Sequence, residues 1–427
     1  MKNSKIKVLI LTYYWPPAGG SGVQRWLKFA KYLRDFDIEP IIYTAENPNY
    51  AIKDESLINE VPRGIEILKQ PIFEPNSILS VFGSKNKKES AGFLNPNPSF
   101  LGKIMQYIRA NYFIPDARKY WIKPSVRFLS KYIEKNNVGV VITTGPPHSL
   151  HLIGLQLKKE KGIKWISDFR DPWTEIDYFH QLPLTEKAKK KHHKLEKEVL
   201  RNSDRVIVVG DTMKDRFLKD AEKVITITNG FDTNENQGPL DLDSVFSMTH
   251  VGMMNADRNP SNLWGILKEI CDENADFKND LRIRLIGEIA KEVTNDLNVF
   301  DSNNLELIDY VSHSEVKKHQ SSTQVLLLSI NNVPSAKGII TGKIFEYLQA
   351  KRPILAIGPK DGDAAAIIEN TNSGCIFGFE NKDELKQYVL KLYIEYKEKK
   401  LIVNSTNIEQ YHRKELTKKL ADLVKSI

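Results

Sequence analysis

One stretch of the chain, from Lys337 to Leu348, combines a loop with the start of a helix and carries side chains suited to binding anions. Thr341 can cap the helix that begins near Gly342, and Lys343 adds a positive charge to its first turn. The free amides of a first helical turn also favour negative charge. Glu346 follows one turn later. This spacing predicts a site that holds a diphosphate at the helix end while the carboxylate accepts the hydroxyls of a ribose.

A second loop with the same potential, Trp15 to Gly22, reads WPPAGGSG and joins an apolar run to an amphipathic stretch. Its glycines Gly19, Gly20 and Gly22 let backbone amides approach a ligand, and the helix that follows favours an anion at its N-terminus. A phosphate or a sugar would fit there. The loop lacks both the GxGxxG spacing and the P-loop lysine, which argues against NAD binding and ATP hydrolysis.

The sequence SDFRDPW follows an apolar run and places Asp168, Arg170 and Asp171 at the end of a predicted strand. Ligands of open α/β sheets bind at the carboxyl ends of strands, so these side chains are suited to binding the hydroxyls of a second substrate. An internal Arg–Asp ion pair is the alternative interpretation.

Two arrangements resemble metal sites. Asp361 and Asp363 have the DxD spacing that can hold a divalent cation, but Asp363 is also well placed as the N-cap of a following helix, and we favour the cap. His192 and His193 are adjacent on a lysine-rich helical stretch and therefore point to different sides. We expect neither an obligatory metal nor any other cofactor.

These residues must be positioned by two successive rounds of alternating strands and helices. Short β-branched runs separated by helical segments are typical of parallel sheets with crossover helices. The strand candidates are Lys5–Leu11, Pro40–Thr44, Val138–Thr143, Lys164–Ser167, Arg205–Val209, Lys223–Thr228, Met248–Met253, Leu281–Ile286, Leu305–Tyr310, Gln324–Ser329 and Pro353–Ile357. The pattern predicts an α/β protein with two doubly wound, Rossmann-like domains.

The two rounds are separated by a polar stretch, Asp232 to Asp243, which is rich in Asn, Asp and Gly and reads as a linker. We therefore expect an N-terminal domain over residues 1–233 and a C-terminal domain over 234–404. Residues 405–427 form a final helix.

The connection over residues 46–135 is too long for an ordinary loop and must have structure or function of its own. From Leu101 to Lys135 it holds eight basic residues, two acidic ones and several aromatic rings, among them Phe113, Tyr120 and Trp121. Such a composition suits an anionic membrane surface, where the rings anchor at the interface. Single-stranded nucleic acid, or a packed core with a solvated helix face, would give the same pattern.

Charge and composition narrow the class of protein. The 427 residues are 41% apolar, and no apolar run is long enough to cross a bilayer. Residues 1–233 hold 38 basic and 26 acidic side chains, whereas the remainder holds 24 and 28, so the positive charge lies in the first half. A basic half suggests a phosphate-bearing or anionic partner, with a domain that is basic for solubility as the alternative. The two cysteines, Cys271 and Cys375, lie in no metal or disulfide pattern, which favours a reducing cytoplasm.

Several of these segments together resemble glycosyltransferase family 4. They are the stretch TGKIFEYLQAKRPILAIGP at Thr341 to Pro359, the PPAGGSGVQR loop, the TNGFD segment at Thr228 to Asp232, and the C-terminal helix at Tyr411 to Val424. The resemblance implies the GT-B fold, with two Rossmann-like domains facing across a cleft. It also implies that the last helix crosses back onto the first domain, and that a sugar is transferred from a nucleotide donor with retention of configuration.

The resemblance also assigns roles to single residues. Gly252 and Arg258, in VGMMNADRNP, match the family's phosphate-contacting loop, in which the arginine neutralises the departing diphosphate. Lys343 would help Arg258 to neutralise the diphosphate. His148, in TTGPPHSLH, matches a histidine near the donor sugar, with a core or capping histidine as the alternative. The glycines of the first loop, Asp168 and Asp171 fall on the acceptor side.

This sequence departs from the family pattern at one position. Family members carry two glutamates separated by seven residues, and Glu346 matches the second, which binds the ribose. The first, which lies near the donor sugar, is replaced by Gly338.

The sequence therefore predicts a retaining glycosyltransferase that acts on a cell-surface glycan or lipid-linked acceptor. Its partners would be a nucleotide sugar, this acceptor and anionic membrane, without nucleic acid. We expect a cytoplasmic protein, peripheral at the inner face of the cytoplasmic membrane. The alternatives are a GT-B-type epimerase or phosphorylase, or a non-catalytic protein that binds anionic membrane or RNA.

Overall fold

The computed structural model describes residues 5–74, 99–176, 179–232 and 241–427. The chain divides into two compact units. Met1–Thr228 and Arg413–Ile427 form the first unit, and Asn229–His412 form the second. The predicted boundary between residues 233 and 234 lies outside the described residues.

The first unit is built on a seven-stranded sheet in the order β3-β2-β1-β4-β5-β6-β7, with every pair of neighbours parallel. Its strands are β1 (Ile6–Leu11), β2 (Ile38–Ala45), β3 (Glu66–Gln70), β4 (Val140–Gly145), β5 (Lys164–Phe169), β6 (Arg205–Val208) and β7 (Val224–Thr226). Its first helices are α1 (Ser21–Tyr32), α2 (Phe100–Tyr112), α3 (Ile122–Asn136), α4 (Ser149–Lys161), α5 (Glu186–Asn202) and α6 (Asp211–Phe217).

The central strands of this sheet read as continuous apolar runs because helices cover both faces. Residues Val8 to Leu11 of β1 are fully buried, as are Trp26 on α1 and Trp165 on β5. The sheet therefore supplies a rigid platform whose carboxyl edge holds the loops predicted to bind ligands.

The second unit has a six-stranded parallel sheet in the order β10-β9-β8-β11-β12-β13. Its strands are β8 (Phe246–Val251), β9 (Leu281–Ile286), β10 (Leu305–Ile308), β11 (Val325–Ser329), β12 (Ile354–Ile357) and β13 (Gly374–Phe377). Its helices are α7 (Ser261–Glu273), α8 (Ala275–Asp280), α9 (Lys291–Leu297), α10 (His313–Ser322), α11 (Lys343–Ala350), α12 (Asp363–Asn370) and α13 (Asp383–Lys397). The two sheets confirm the predicted fold class of two doubly wound, parallel domains.

The last helix, α14 (Arg413–Lys425), belongs to the first unit although it follows the second in sequence. It packs on α1, and Leu416, Leu420 and Val424 join the first unit's core. The helix therefore returns the chain to its first unit.

The long connection over residues 46–135 forms β3, α2 and α3 in its described parts, and residues 75–98 lie outside the described residues. Trp121 is only 1% exposed and stacks on Tyr43, with ring centroids 5.1 Å apart. Our expectation that Trp121 anchors the protein in an interface is therefore wrong, because its ring is part of the core.

Candidate active site

The candidate residues fall into two groups, one in each unit. In the second unit, β8 and β11 are parallel neighbours, so the loops that follow them lie at the same edge of the sheet. The loop after β8 carries Gly252, Met253 and Arg258, and the segment after β11 leads into α11 with Lys343 and Glu346.

The two cations of this site meet at one backbone oxygen. Lys343 Nζ lies 3.4 Å from the carbonyl oxygen of Met253, and Arg258 Nη1 lies 3.1 Å from the same atom. Arg258 Nε also donates to Asn331 Oδ1 at 2.8 Å, which fixes the guanidinium plane. Two positive groups held this close form a local field suited to a polyanion. The structure thus brings together Lys343 and Arg258, which are 85 positions apart in the sequence.

The charge of Lys343 is finely balanced. Burial and, to a smaller extent, the nearby Arg258 lower its pKa from the ordinary lysine value to about 7, although Glu346 acts in the opposite direction. A bound anion would stabilise the ammonium and raise this pKa. Lys343 is therefore able to gain a proton when a phosphate group binds near neutral pH.

Gly252 leaves the room that this lysine needs. Its φ of 95° lies in the left-handed region, and a Cβ atom there would stand 2.7 Å from Lys343 Cε. Any other residue would strain the turn after β8 and displace Lys343. The predicted role of Gly252 at the donor site fits this close approach.

Glu346 lies in the first turn of α11, where its charge is favourable to the helix. Its Oε2 accepts a hydrogen bond at 2.9 Å from Gln320 Nε2 on α10. This contact orients the carboxylate from a second helix. Sequence analysis missed Gln320 because a single glutamine on a polar helix carries no local signal.

The start of α11 differs from the prediction. The helix begins at Lys343 with Gly342 as its N-cap, and no side chain caps it. Thr341 Oγ1 does not act as the predicted cap. It is buried without a hydrogen-bond partner among the described residues.

Two further buried oxygens also lack a hydrogen-bond partner among the described residues. They are Asn255 Oδ1, in the loop after β8, and Ser335 Oγ, in the segment after β11. Buried polar atoms are normally satisfied, so three of them on these two segments indicate a place for a polar ligand or water. Sequence analysis missed Asn255 and Ser335.

The predicted helix cap at Asp363 also needs correction. The N-cap of α12 is Gly362, and Asp363 is the first helical residue. Asp361 is exposed and pairs with Lys337, which neighbours Gly338 at the position of the missing glutamate. No group of three or more potential metal ligands occurs in the part of the chain that the structure describes.

In the first unit, His148 lies just beyond β4, at the carboxyl edge of the sheet. Its ring stacks parallel on Trp173 with centroids 4.6 Å apart. Burial and the neighbouring His151 hold the pKa of His148 well below its usual value, so the ring is neutral at pH 7. Its Nδ1 is buried without a partner among the described residues. A neutral ring whose nitrogen lacks a partner among the described residues can form a hydrogen bond with a hydroxyl.

Asp168 has a role inside the core instead of at a ligand. It is 0% exposed and accepts hydrogen bonds from Arg25 at 2.8 Å, Trp26 Nε1 at 2.8 Å and Thr144 Oγ1 at 2.8 Å. The alternative of an internal ion pair is what the structure shows, with Arg25 in place of Arg170. A carboxylate so enclosed has no access to an acceptor, and we leave Asp168 out of the proposed site.

The other two residues of this motif lie nearer the surface. Arg170 lies over the ring of Tyr14 at 5.6 Å and donates to the carbonyl oxygen of Pro146. Asp171 is half-buried at the start of the loop after β5. That loop is held by α5, because Trp173 Nε1 donates to His192 Nδ1 at 3.0 Å and Thr174 donates to Glu196. His192 is thus a packing partner of the loop.

The glycine loop after β1 leads into α1 as predicted. Gly20 is the N-cap of α1, and Gly22 packs so closely on Arg170 that a Cβ atom would lie 2.7 Å from Nη1. The amide of Gly19 donates to the carbonyl oxygen of Ile52 at 2.9 Å and is therefore not available to a ligand. Gly20 and Gly22 remain candidates for the acceptor side.

Comparison with known proteins agrees with this picture. Residues 91–235, about a third of the chain, match the family model described as Glycosyltransferase Family 4. No curated protein sequence matches the chain.

Several solved structures resemble both units. Sucrose-phosphate synthase from Thermosynechococcus elongatus is 12% identical with a TM-score of 0.61, over 99% of each chain. Anabaena Alr3699/HepE in complex with UDP is 13% identical with a TM-score of 0.62, over 99% of this chain and 100% of that one. A Listeria monocytogenes protein described as a UDP-N-acetylglucosamine 2-epimerase is 10% identical with a TM-score of 0.56, over 99% and 96%. At these identities the likeness concerns the fold.

The fold and the family match define the class of protein, a glycosyltransferase with the GT-B fold. Residues 91–235 match the model of the same family that the sequence motifs resemble.

Proposed function

We propose that the protein transfers a sugar, with retention of configuration, from a nucleoside-diphosphate donor to a cell-surface glycan or lipid-linked acceptor. The observation that supports this most is the convergence of Lys343 and Arg258 on the Met253 carbonyl. The same two segments carry three buried oxygens that lack a hydrogen-bond partner among the described residues. A diphosphate would satisfy both cations. Glu346 would then accept the ribose hydroxyls.

The chemistry follows from where charge develops. Cleavage of the bond between the anomeric carbon and the diphosphate leaves negative charge on the phosphate oxygen, which Arg258 and Lys343 would stabilise. The acceptor oxygen bonds to the same face of the anomeric carbon, and its proton passes to the departing phosphate. His148, which is neutral and whose Nδ1 lacks a hydrogen-bond partner among the described residues, would bind a sugar hydroxyl.

A screen of nucleotides and nucleotide sugars for thermal stabilisation of the protein tests this proposal. We expect UDP and a UDP-sugar to raise the melting temperature, since UDP occupies the similarly folded HepE. A ligand present at 100 times its Kd stabilises by about 2.7 kcal/mol. Transfer is expected to persist in excess chelator, because the fixed cations replace Mg²⁺ at the diphosphate. No stabilisation by any nucleotide, or activity that requires added Mg²⁺ or Mn²⁺, would contradict the proposed donor site.

A second candidate is an epimerase, which the likeness to the Listeria protein favours. The two activities differ in their products. Without an acceptor, an epimerase would convert the nucleotide sugar to its epimer, whereas a glycosyltransferase would leave the donor unchanged. A phosphorylase would instead consume inorganic phosphate and a glycan.

We further propose that the first unit makes peripheral contact with anionic membrane at the inner face of the cytoplasmic membrane. Among the described helices, none is long and apolar enough to span a bilayer. Helix α2 instead exposes large apolar side chains, with Phe100 79% and Leu101 72% accessible. Such a helix face suits the boundary between headgroups and acyl chains.

Basic side chains are exposed on two other helices of the same unit. Lys123 and Arg127 are exposed on α3, and Lys190 and Lys194 are exposed on α5. Asn111 joins α2 to the start of α5, because it donates to Pro183 and accepts from Thr185, the N-cap of α5. Lys119 lies over the rings of Phe113 and Tyr120 and so contributes to local packing as well as charge.

Replacing Lys123, Arg127, Lys190 and Lys194 with Glu is expected to abolish sedimentation with anionic liposomes at low salt. Each basic residue near such a surface contributes about 1 kcal/mol. Leu101→Ser with Ile104→Ser is expected to weaken binding less. Four exposed lysines of the second unit, changed to Glu, serve as the matched control: Lys382, Lys391, Lys399 and Lys400. Binding that survives the four changes, or a preference for single-stranded RNA over liposomes, would refute the membrane contact.

A further inference from the structure

A buried histidine lies directly behind the lysine of the donor site. His250 is on β8 and is fully buried, and its Nε2 lies 3.2 Å from Lys343 Nζ. Its other nitrogen, Nδ1, lies 3.1 Å from the carbonyl oxygen of Leu327 on β11. A carbonyl only accepts, so Nδ1 carries the hydrogen.

The remaining nitrogen is therefore an acceptor. Burial, with Lys343 as the nearest charge, holds the pKa of His250 well below its usual value, and the ring is neutral. Nε2 then has a lone pair directed at Lys343 and accepts a hydrogen bond from the ammonium. The tautomer is fixed by the strand behind it.

The surroundings keep both partners in place. Tyr347, one turn after Lys343 on α11, donates to the same Leu327 oxygen at 3.2 Å and accepts from the amide of Val251 at 3.2 Å. Helix α11 is thus joined to β8 and β11 on either side of the contact between Lys343 and His250. Movement of the lysine head would require this contact to break.

We propose that His250 is a positioning residue of the donor site, which holds the Lys343 ammonium beside Arg258 by accepting its hydrogen bond. The inference rests on the proposed function, since the diphosphate is the ligand that Lys343 would bind. A neutral acceptor orients the ammonium without neutralising it. A carboxylate at the same place would form an ion pair and reduce the charge that the diphosphate meets.

The arrangement couples donor binding to pH. The charged groups that face Lys343 are Arg258, from the loop after β8, and Glu346, on its own helix. With a pKa of about 7 in the free protein, Lys343 is mostly protonated below that pH. A bound diphosphate raises the pKa, so binding takes up a proton above pH 7. The affinity for the diphosphate is therefore highest below about pH 7. Above that pH it falls, and the decrease approaches tenfold for each pH unit.

Two amide variants separate the positioning role from packing. His250→Gln places an acceptor near the position of Nε2, whereas His250→Asn reaches only the position of Nδ1. UDP-glucose is the probe, because its diphosphate diester keeps the same charge between about pH 6 and pH 8.5. Its dissociation constant is measured by calorimetry across this range for both variants, for wild type and for Lys343→Met.

We expect His250→Gln to retain the wild-type pH profile. In His250→Asn the ammonium loses this acceptor and keeps the longer contact with the Met253 carbonyl oxygen. The fall in affinity therefore begins at lower pH, and binding is about tenfold weaker at pH 7. Lys343→Met is expected to show a flat profile. Identical profiles for wild type, Gln and Asn variants would overturn the role of His250. Absence of UDP-glucose binding to wild type, together with no stabilisation by any nucleotide sugar, would instead refute the proposed function.

Discussion

Lys343→Ala is expected to lower kcat/KM for sugar transfer by about 10²–10³-fold, the effect of removing one fixed donor from a site of developing charge. Loss of the cation leaves only Arg258 at the leaving diphosphate. Lys343 is the first residue of α11, and alanine is a good helix former, so the fold should survive. Steady-state kinetics with the donor found in the screen, and thermal unfolding in parallel, measure both effects.

The same experiment includes Glu346→Gln, which keeps the shape of the side chain and its contact with Gln320. The change removes the negative charge of the carboxylate that would accept hydrogen bonds from the ribose hydroxyls. Hydrogen bonds to charged groups contribute about 1.5–3 kcal/mol, so nucleotide affinity should fall about 10–100-fold. Lys391→Ala, on the exposed face of α13, is the control and should behave as wild type. Unchanged nucleotide affinity and activity in both site variants would refute the assignment.

Asp168→Asn is expected to lower the free energy of unfolding of the first unit by about 3–5 kcal/mol, because Arg25 would be left buried without its counter-charge. Arg25 also donates to the carbonyl oxygens of Ile227 and Thr228, so its displacement would disturb the end of the first unit's chain before residue 229. An exposed ion-pair residue, changed by Asp361→Asn, should leave stability unchanged.

The effect should also depend on pH. Arg25 and the donors around Asp168 hold the pKa of this carboxylate below its usual value, despite burial. Its contribution to stability is therefore full above the ordinary Asp pKa and is lost as pH falls through the lowered one. Tryptophan fluorescence reports mainly on this unit, since only Trp264 of the six tryptophans lies in the second. A wild-type unfolding transition in Asp168→Asn would contradict the structural role.

The strands illustrate which parts of a fold are legible in sequence. Central strands such as β1 and β11 are covered on both faces and so carry nearly continuous apolar runs, which we predicted. The edge strand β3 escaped prediction, because half-exposed edge residues need not be apolar, and the edge strand β13, only four residues long, escaped it as well.

The sequence by itself determined the class of fold, two parallel sheets with crossover helices, because strand and helix periods are local properties of the chain. It also predicted Lys343 and Glu346 as site residues, since both lie in a short loop-to-helix segment whose spacing suits a diphosphate. A local motif of this kind can be interpreted without knowing which distant residues lie near it in the fold. Arg258 was predicted only through the resemblance to glycosyltransferase family 4.

Only the tertiary structure decided which partners these residues meet. His250 reaches Lys343 across 93 positions, and Asp168 reaches Arg25 across 143, because parallel strands and crossover helices bring distant segments to one sheet edge. The same holds for burial. Trp121 and Leu101 are both large apolar residues of one segment, yet one stacks in the core and the other faces solvent. Tertiary packing decides which of two such residues is buried, and it depends on long-range contacts that a local sequence pattern does not show.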